Sequence, residues 1–91
     1  MKKYIINEHE YELIENYKDA FEYDIVKEKV TEYFDEFDYI VGDWSYGKLR
    51  LKGFCNTKNK NLKEYNNYEN INNYIQKECA YDCRWFSLKK L

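Results

Sequence analysis

The sequence predicts a small α+β domain: a largely antiparallel sheet of about five strands with two helices packed on one face, in the order β-β-α-β-β-α-β. Three observations carry this reading. Short apolar or alternating runs recur between polar connections, and two segments switch to helical spacing. The 91 residues contain no proline and no Gly/Ser-rich linker, so the whole chain, 1–91, reads as one domain.

Taken in order, Lys3 to Ile6 is a short strand-type run and Tyr11 to Glu15 a second, with polar Asn7 to Glu10 between them, which predicts a hairpin. From Asp24, a plausible N-cap, Ile25, Val26, Val30, Tyr33, Phe34 and Phe37 recur at helical spacing, predicting a helix from Asp24 to Asp35. Tyr39-Ile40-Val41 reads as a buried strand. Gly42 to Gly47 holds two of the three glycines and reads as a turn or a bulged strand. Lys48 to Phe54 alternates with period two, with Lys48, Arg50 and Lys52 on one face and Leu49 and Leu51 on the other. Asn56 to Asn67 is polar and without period, and reads as a long mobile loop. Asn70 is placed to cap a second helix carrying Ile71, Tyr74, Ile75 and Cys79 on one side, and Cys83 to Leu88 reads as the last strand.

Composition bounds the function. Apolar residues make up 44% and aromatic residues 20%, enough for one core despite a mean hydropathy of -0.96. No run approaches a membrane span, and the basic start at Lys2 and Lys3 is followed by only three apolar residues, too few for a secretory signal. A cytoplasmic protein is expected. Three cysteines, Cys55, Cys79 and Cys83, are an odd and low count that suits reduced, buried thiols. The net charge of -2 hides a division. Residues 1–43 hold five Lys/Arg and thirteen Asp/Glu, a net of -8; residues 44–91 hold ten and four, a net of +6. The division either creates a dipolar surface or is neutralised when the halves pack.

The segment from Asp38 to Phe54, Asp-Tyr-Ile-Val-Gly-Asp-Trp-Ser-Tyr-Gly-Lys-Leu-Arg-Leu-Lys-Gly-Phe, resembles the signature region of the YutD-like family of small bacterial proteins. The likeness extends to His9-Glu10-Tyr11-Glu12-Leu13-Ile14 at the start. At the end it covers Tyr74 to Leu88, which is similar to the family's Tyr-x-x-x-x-Cys…Cys-x-x-Phe-x-Leu close. Ser45 stands where Gly is expected in many relatives, and Asn56 to Asn67 carries no part of the likeness. The resemblance implies a single domain and carries no activity over to these residues.

The candidate site is the same central segment. Trp44 and Tyr46 offer flat aromatic faces; Lys48, Arg50 and Lys52 offer cations, and Lys58 and Lys60 extend the charge into the loop, with Lys63 beyond. Aromatic and basic residues so interleaved suit single-stranded nucleic acid, where bases stack and phosphates pair. An ordinary amphipathic strand with Trp44 in the core accounts for the same pattern. Asp43 is the candidate polar site residue, either accepting backbone N–H groups at a turn or pairing with Arg50 across a hairpin.

Catalysis has little to stand on. Cys79 and Cys83 lack a second close-spaced ligand pair, and a metal site would have to recruit Cys55 and His9. No phosphate loop, His-Glu-x-x-His or Gly-x-Ser-x-Gly pattern is present. The expectation is a non-catalytic cytoplasmic binding module with no cofactor and no metal, contacting RNA or a ribonucleoprotein through the basic-aromatic strand. The alternatives are a protein-interaction or homodimerisation module and, last, a metal- or thiol-dependent enzyme. The RNA reading predicts that replacing Arg50 and Lys52 with Glu removes binding and leaves the fold intact.

Overall fold

Asn7 and Glu8, both at positive φ, turn the first strand, β1 (Lys3–Ile6), back into β2 (His9–Tyr17). Two-residue loops of this conformation match the twist of paired strands, and asparagine tolerates it well. The computed structural model describes residues 2–78 and 83–91. After β2 come helix α1 (Tyr23–Lys29), a 3-10 segment (Glu32–Glu36), β3 (Tyr39–Ser45), β4 (Lys48–Phe54), two 3-10 turns (Glu64–Asn66 and Tyr68–Asn70), helix α2 (Ile71–Glu78) and β5 (Trp85–Lys90). The five strands form one antiparallel sheet in the order β1-β2-β5-β3-β4. The α+β class and the β-β-α-β-β-α-β order are those expected.

Four details depart from the sequence reading. The first helix stops at Lys29, because Val30 is extended and the Thr31 hydroxyl accepts from the Tyr33 N–H to begin a separate 3-10 segment. Phe34 and Phe37, three apart, suit a three-residue turn as well as an α-helix. Gly42 and Asp43 are strand residues, and the turn is confined to Tyr46 and Gly47. The loop from Asn56 is held by its own asparagines. Asn56, Asn59 and Asn67 side chains accept from N–H groups two residues on, and the Asn59 amide reaches Asp38. Finally, the two helices lie on opposite faces of the sheet.

That last point follows from the alternation of β3, β4 and β5. Ile40, Gly42 and Trp44 share a face with Leu49, Gly53, Phe86 and Leu88. On this face sits the main core, where Val26 and Val30 from α1 and its exit, together with Phe34 and Phe37, close over Ile40, Phe86 and Leu88. The opposite face presents Tyr39, Val41, Asp43, Phe54 and Ser87. There the Tyr68 ring stacks on Tyr39 at 3.7 Å, its hydroxyl shares a hydrogen bond with Ser87, and Tyr74 of α2 meets Phe54 edge-on.

Burial pushes the hydroxyls of Tyr11 and Tyr68 and the thiol of Cys55 above their ordinary values, the Ser87 hydrogen bond offsetting part of the effect at Tyr68. A raised pKa in the folded state stabilises the fold below the unfolded pKa, and that contribution is lost as pH rises through it. Urea midpoints are therefore expected to hold steady to about pH 8 and to fall steadily above about pH 9. A midpoint that stayed level to about pH 11 would contradict the burial of these three groups. Cys55 is free and buried, whereas Cys83 is disulfide-bonded, in contrast to the reduced state expected for it. Cys79, expected on the apolar side of the second helix, lies outside the described residues.

Candidate functional site

The hairpin of β3 and β4 sets the geometry. Tyr46 and Gly47 both take positive φ, and Ser45 pairs with Lys48, Asp43 with Arg50 and Val41 with Lys52. Lys48, Arg50 and Lys52 therefore share a face with Asp43, while Trp44, opposite Leu49, points to the other. Asp43 is 1% exposed, and both its oxygens are taken by Arg50, Nε at 2.9 Å and a terminal nitrogen at 2.8 Å. This two-pronged pairing is the cross-hairpin alternative foreseen for Asp43, and the turn role does not apply.

Trp44 is half-buried. Its indole N–H donates to the Ala20 carbonyl at 2.8 Å, and the Arg84 guanidinium lies 4.7 Å from its ring centre. Lys52 turns its ammonium into a cluster of rings, 4.7 Å from Tyr74, 5.1 Å from Phe54 and 5.8 Å from Tyr65. Tyr46 stands at the hairpin tip, 97% exposed, and Lys58 and Lys60 are exposed on the asparagine-held loop. The structure thus separates the aromatic platform from the row of cations.

A groove of about 410 Å³ beside β4 reunites part of the set. Trp44, Lys48 and Arg50 line it together with Gly47, Leu49, Ile25 and Lys29. Ile25, Trp44 and Leu49 make part of it apolar, Lys29, Lys48 and Arg50 bring three cations, and no carboxylate is among the described residues that line it. Ile25 and Lys29 come from the acidic half of the chain and were not anticipated. A signal existed: Ile25 and Val26 are adjacent, about 100° apart on a helix, so both cannot face the sheet. Val26 is fully buried and Ile25 is 36% exposed.

The charge division survives folding as a spatial one. The acidic hairpin, with Glu8, Glu10, Glu12 and Glu15, forms one side of the sheet, and basic β4 forms the other. With four strand spacings between β1 and β4, the two edges stand ~19 Å apart. Arg50–Asp43 and Arg84–Glu22 (3.5 Å) are ion pairs that join the halves, and the Lys90 ammonium donates to the Asp35 carbonyl. His9 pairs with Asp35 at 3.0 Å within the acidic side. Among the described residues no group of His, Cys, Asp or Glu is arranged to hold a metal ion, and no helix is long and apolar enough to cross a membrane.

The family model described as "Putative antitoxin YutD-like" matches residues 5–89. The chain belongs to the YutD-like family. A family relative, "Putative antitoxin YutD" of Bacillus subtilis (strain 168), is 37% identical over 87 residues, which are 96% of this chain and 96% of that protein. The solution NMR structure of protein yutD from B. subtilis has the same fold, with a TM-score of 0.82 and 35% identity, over 100% of this chain and 83% of that one. The five-stranded sheet with its two helices is therefore shared within the family, and the resemblance first seen in the segment from Asp38 to Phe54 extends over nearly the whole chain.

Proposed function

We propose that this member of the YutD-like family is a non-catalytic binding module that engages another protein through the basic side of its sheet. The carrying observation is the groove beside β4, where apolar Ile25, Trp44 and Leu49 are joined by the cations Lys29 and Lys48 at the pole opposite the acidic hairpin. An apolar centre with a charged rim is the anatomy of a protein contact, and the dipole would orient an acidic partner on approach. The description of the B. subtilis relative, "Putative antitoxin YutD", suits a protein that works by occupying another macromolecule. Bound nucleic acid has less to hold. One face of Trp44 is covered by Arg84, Arg50 is neutralised by Asp43, and Lys52 is turned into rings.

RNA or a ribonucleoprotein is the second reading, favoured by exposed Lys58 and by Lys60 and Lys63, which line one groove with Tyr65, itself 70% exposed. Recovery of partners on the tagged protein, with and without nuclease, separates the two. The proposal expects a nuclease-resistant protein that is lost when Lys29 and Lys48 are both replaced by Glu. Recovery of a defined RNA only, abolished by nuclease and by Lys58→Glu with Lys60→Glu, would replace it with the RNA reading.

A further inference from the structure

We infer that Tyr46, at the tip of the β3–β4 hairpin, is the anchor of the interface: its phenol ring enters a pocket of the partner protein whose rim carries carboxylates. This rests on the protein-binding reading above and names the side chain that makes the central contact. Tyr46 is 97% exposed, against 70% for Tyr65, the next most exposed large hydrophobic among the described residues, so the fold makes no use of its ring. Its backbone lies in the left-handed region at φ 53°, followed by Gly47 at φ 77°. A two-residue turn of this kind forms most readily from Asn-Gly, and a bulky side chain is disfavoured at its first position. Tyr46 thus strains the turn and contributes no packing to the fold, a combination typical of residues held ready for a ligand or partner.

The sheet gathers supporting groups at the same end. β2 finishes at Tyr17, β5 begins at Trp85 between Tyr17 and Asp43, and the Trp44 backbone N–H donates to the Arg84 carbonyl. Both tryptophans of the chain therefore lie at the end of the sheet that carries the hairpin tip. Tyrosine and tryptophan are among the residues that carry most of the energy of an interface once a partner covers them. Charge selects the partner's rim. Lys48 stands two residues beyond Tyr46 and Lys29 lines the same groove; both are exposed, and neither forms an ion pair among the described residues. Arg50 is not counted, because Asp43 holds its guanidinium. An apolar pocket deep enough for one ring, edged by Asp or Glu and with a polar group at its base for the hydroxyl, meets this arrangement.

The test places the photo-crosslinking residue p-benzoylphenylalanine in the tagged full chain, in the cells that make it, in place of Tyr46 and, as a control on the acidic hairpin, in place of Glu10. The expected result is a protein adduct from the Tyr46 position only, joined through a segment carrying Asp or Glu. That protein, identified and purified, is then titrated with three variants. Tyr46→Asn should raise the thermal midpoint by about 4 °C, because it relieves the turn. It should also weaken binding by roughly thirtyfold or more, a loss that misfolding of the more stable chain does not explain. Tyr46→Phe, which keeps the ring, should lose roughly tenfold or less. The pair Lys29→Glu and Lys48→Glu should abolish binding. No adduct at Tyr46, an adduct only with a second copy or through a segment without carboxylates, or binding that Tyr46→Asn leaves within roughly threefold of the parent would overturn the anchor. A Tyr46→Asn chain less stable than the parent would overturn it as well, since the ring would then serve the fold. Binding kept by Tyr46→Asn but lost with Lys29→Glu and Lys48→Glu would overturn the anchor and leave the protein-binding reading in place. Recovery of RNA alone would overturn both.

Discussion

Replacing Gly42 with alanine is expected to destabilise the protein by about 3 kcal/mol or more, and with valine to prevent folding. A Cβ at position 42 would lie 2.2 Å from Cζ and 2.4 Å from Cε2 of Phe86, its cross-strand partner. Phe86 is fully buried beneath the core and also meets Phe21 edge-on, so its ring has nowhere to withdraw. A domain of this size is stable by roughly 5–13 kcal/mol, which makes such a loss a large fraction of the whole. Gly53 has the same relation to Phe37, whose ring would come within 2.4 Å of a new Cβ. Gly47 provides the contrast. It has φ +77 with nothing within 4 Å of a new Cβ, so Gly47→Ala should cost only about 1 kcal/mol of backbone strain. Urea unfolding of the three alanine variants checks the order. A Gly42→Ala loss no greater than that of Gly47→Ala would show that Phe86 repacks freely.

Arg50→Ala is expected to be the costliest change among the basic residues of β4, at about 2 kcal/mol. It strips a buried carboxylate of both its charge-assisted hydrogen bonds, for Asp43 is 1% exposed and its oxygens have no other partner among the described residues. The Arg50 side chain is 43% exposed, so water softens the cost below the ~3–5 kcal/mol typical of breaking a wholly buried pair. Asp43→Asn, which removes the charge that needs the arginine, should cost less. The double variant should recover part of the Arg50→Ala loss. Urea midpoints for the four members of the cycle decide it, and an Arg50→Ala variant within about 0.5 kcal/mol of the parent would refute the pairing as a stabilising contact. This also corrects an expectation from the sequence. Arg50→Glu would set a second carboxylate against Asp43, so it does not report on binding with the fold intact. Lys29 and Lys48, which line the groove without any ion pair among the described residues, are the appropriate positions.

How much of this could be read from the residues alone varied with how local its cause is. The strand from Lys48 to Phe54 was legible to the residue, because its alternation depends only on the chain's own period of two. Gly42 was left between a turn and a bulged strand because the need for glycine there comes from Phe86, forty-four positions away in sequence, and no local pattern records it. The first helix was overextended for a related reason: the apolar spacing continues through Phe34 and Phe37, while Val30 and Thr31 interrupt the backbone. The assignment of Trp44 and the lysines to one surface failed on parity. Trp44, Lys48, Arg50 and Lys52 are all even-numbered and seem to alternate together, yet a two-residue turn at Tyr46 and Gly47 pairs Trp44 with Leu49 and reverses the phase. Knowing the turn length would have placed the indole opposite the cations. The groove itself was beyond such reasoning, since Ile25 and Lys29 meet β4 only in the folded chain.

The position of β5 bears on how the protein is made. Trp85–Lys90 is the last strand in the chain and occupies the middle of the sheet, with β2 on one side and β3 on the other. During synthesis the two hairpins emerge first, at about 5–20 residues per second, and neither touches the other through strand pairing until β5 arrives. Two isolated hairpins are at best marginal in water, so the nascent chain acquires its sheet only once Trp85–Lys90 has been made. A ribosome that stalls or terminates before Trp85 would release a chain with no centre to its sheet, open to proteolysis and with unpaired strands exposed. The cell would thus accumulate this protein only from messages read through the codons of Trp85–Lys90, a dependence that pulse-labelled transcripts truncated before them would reveal as rapid turnover.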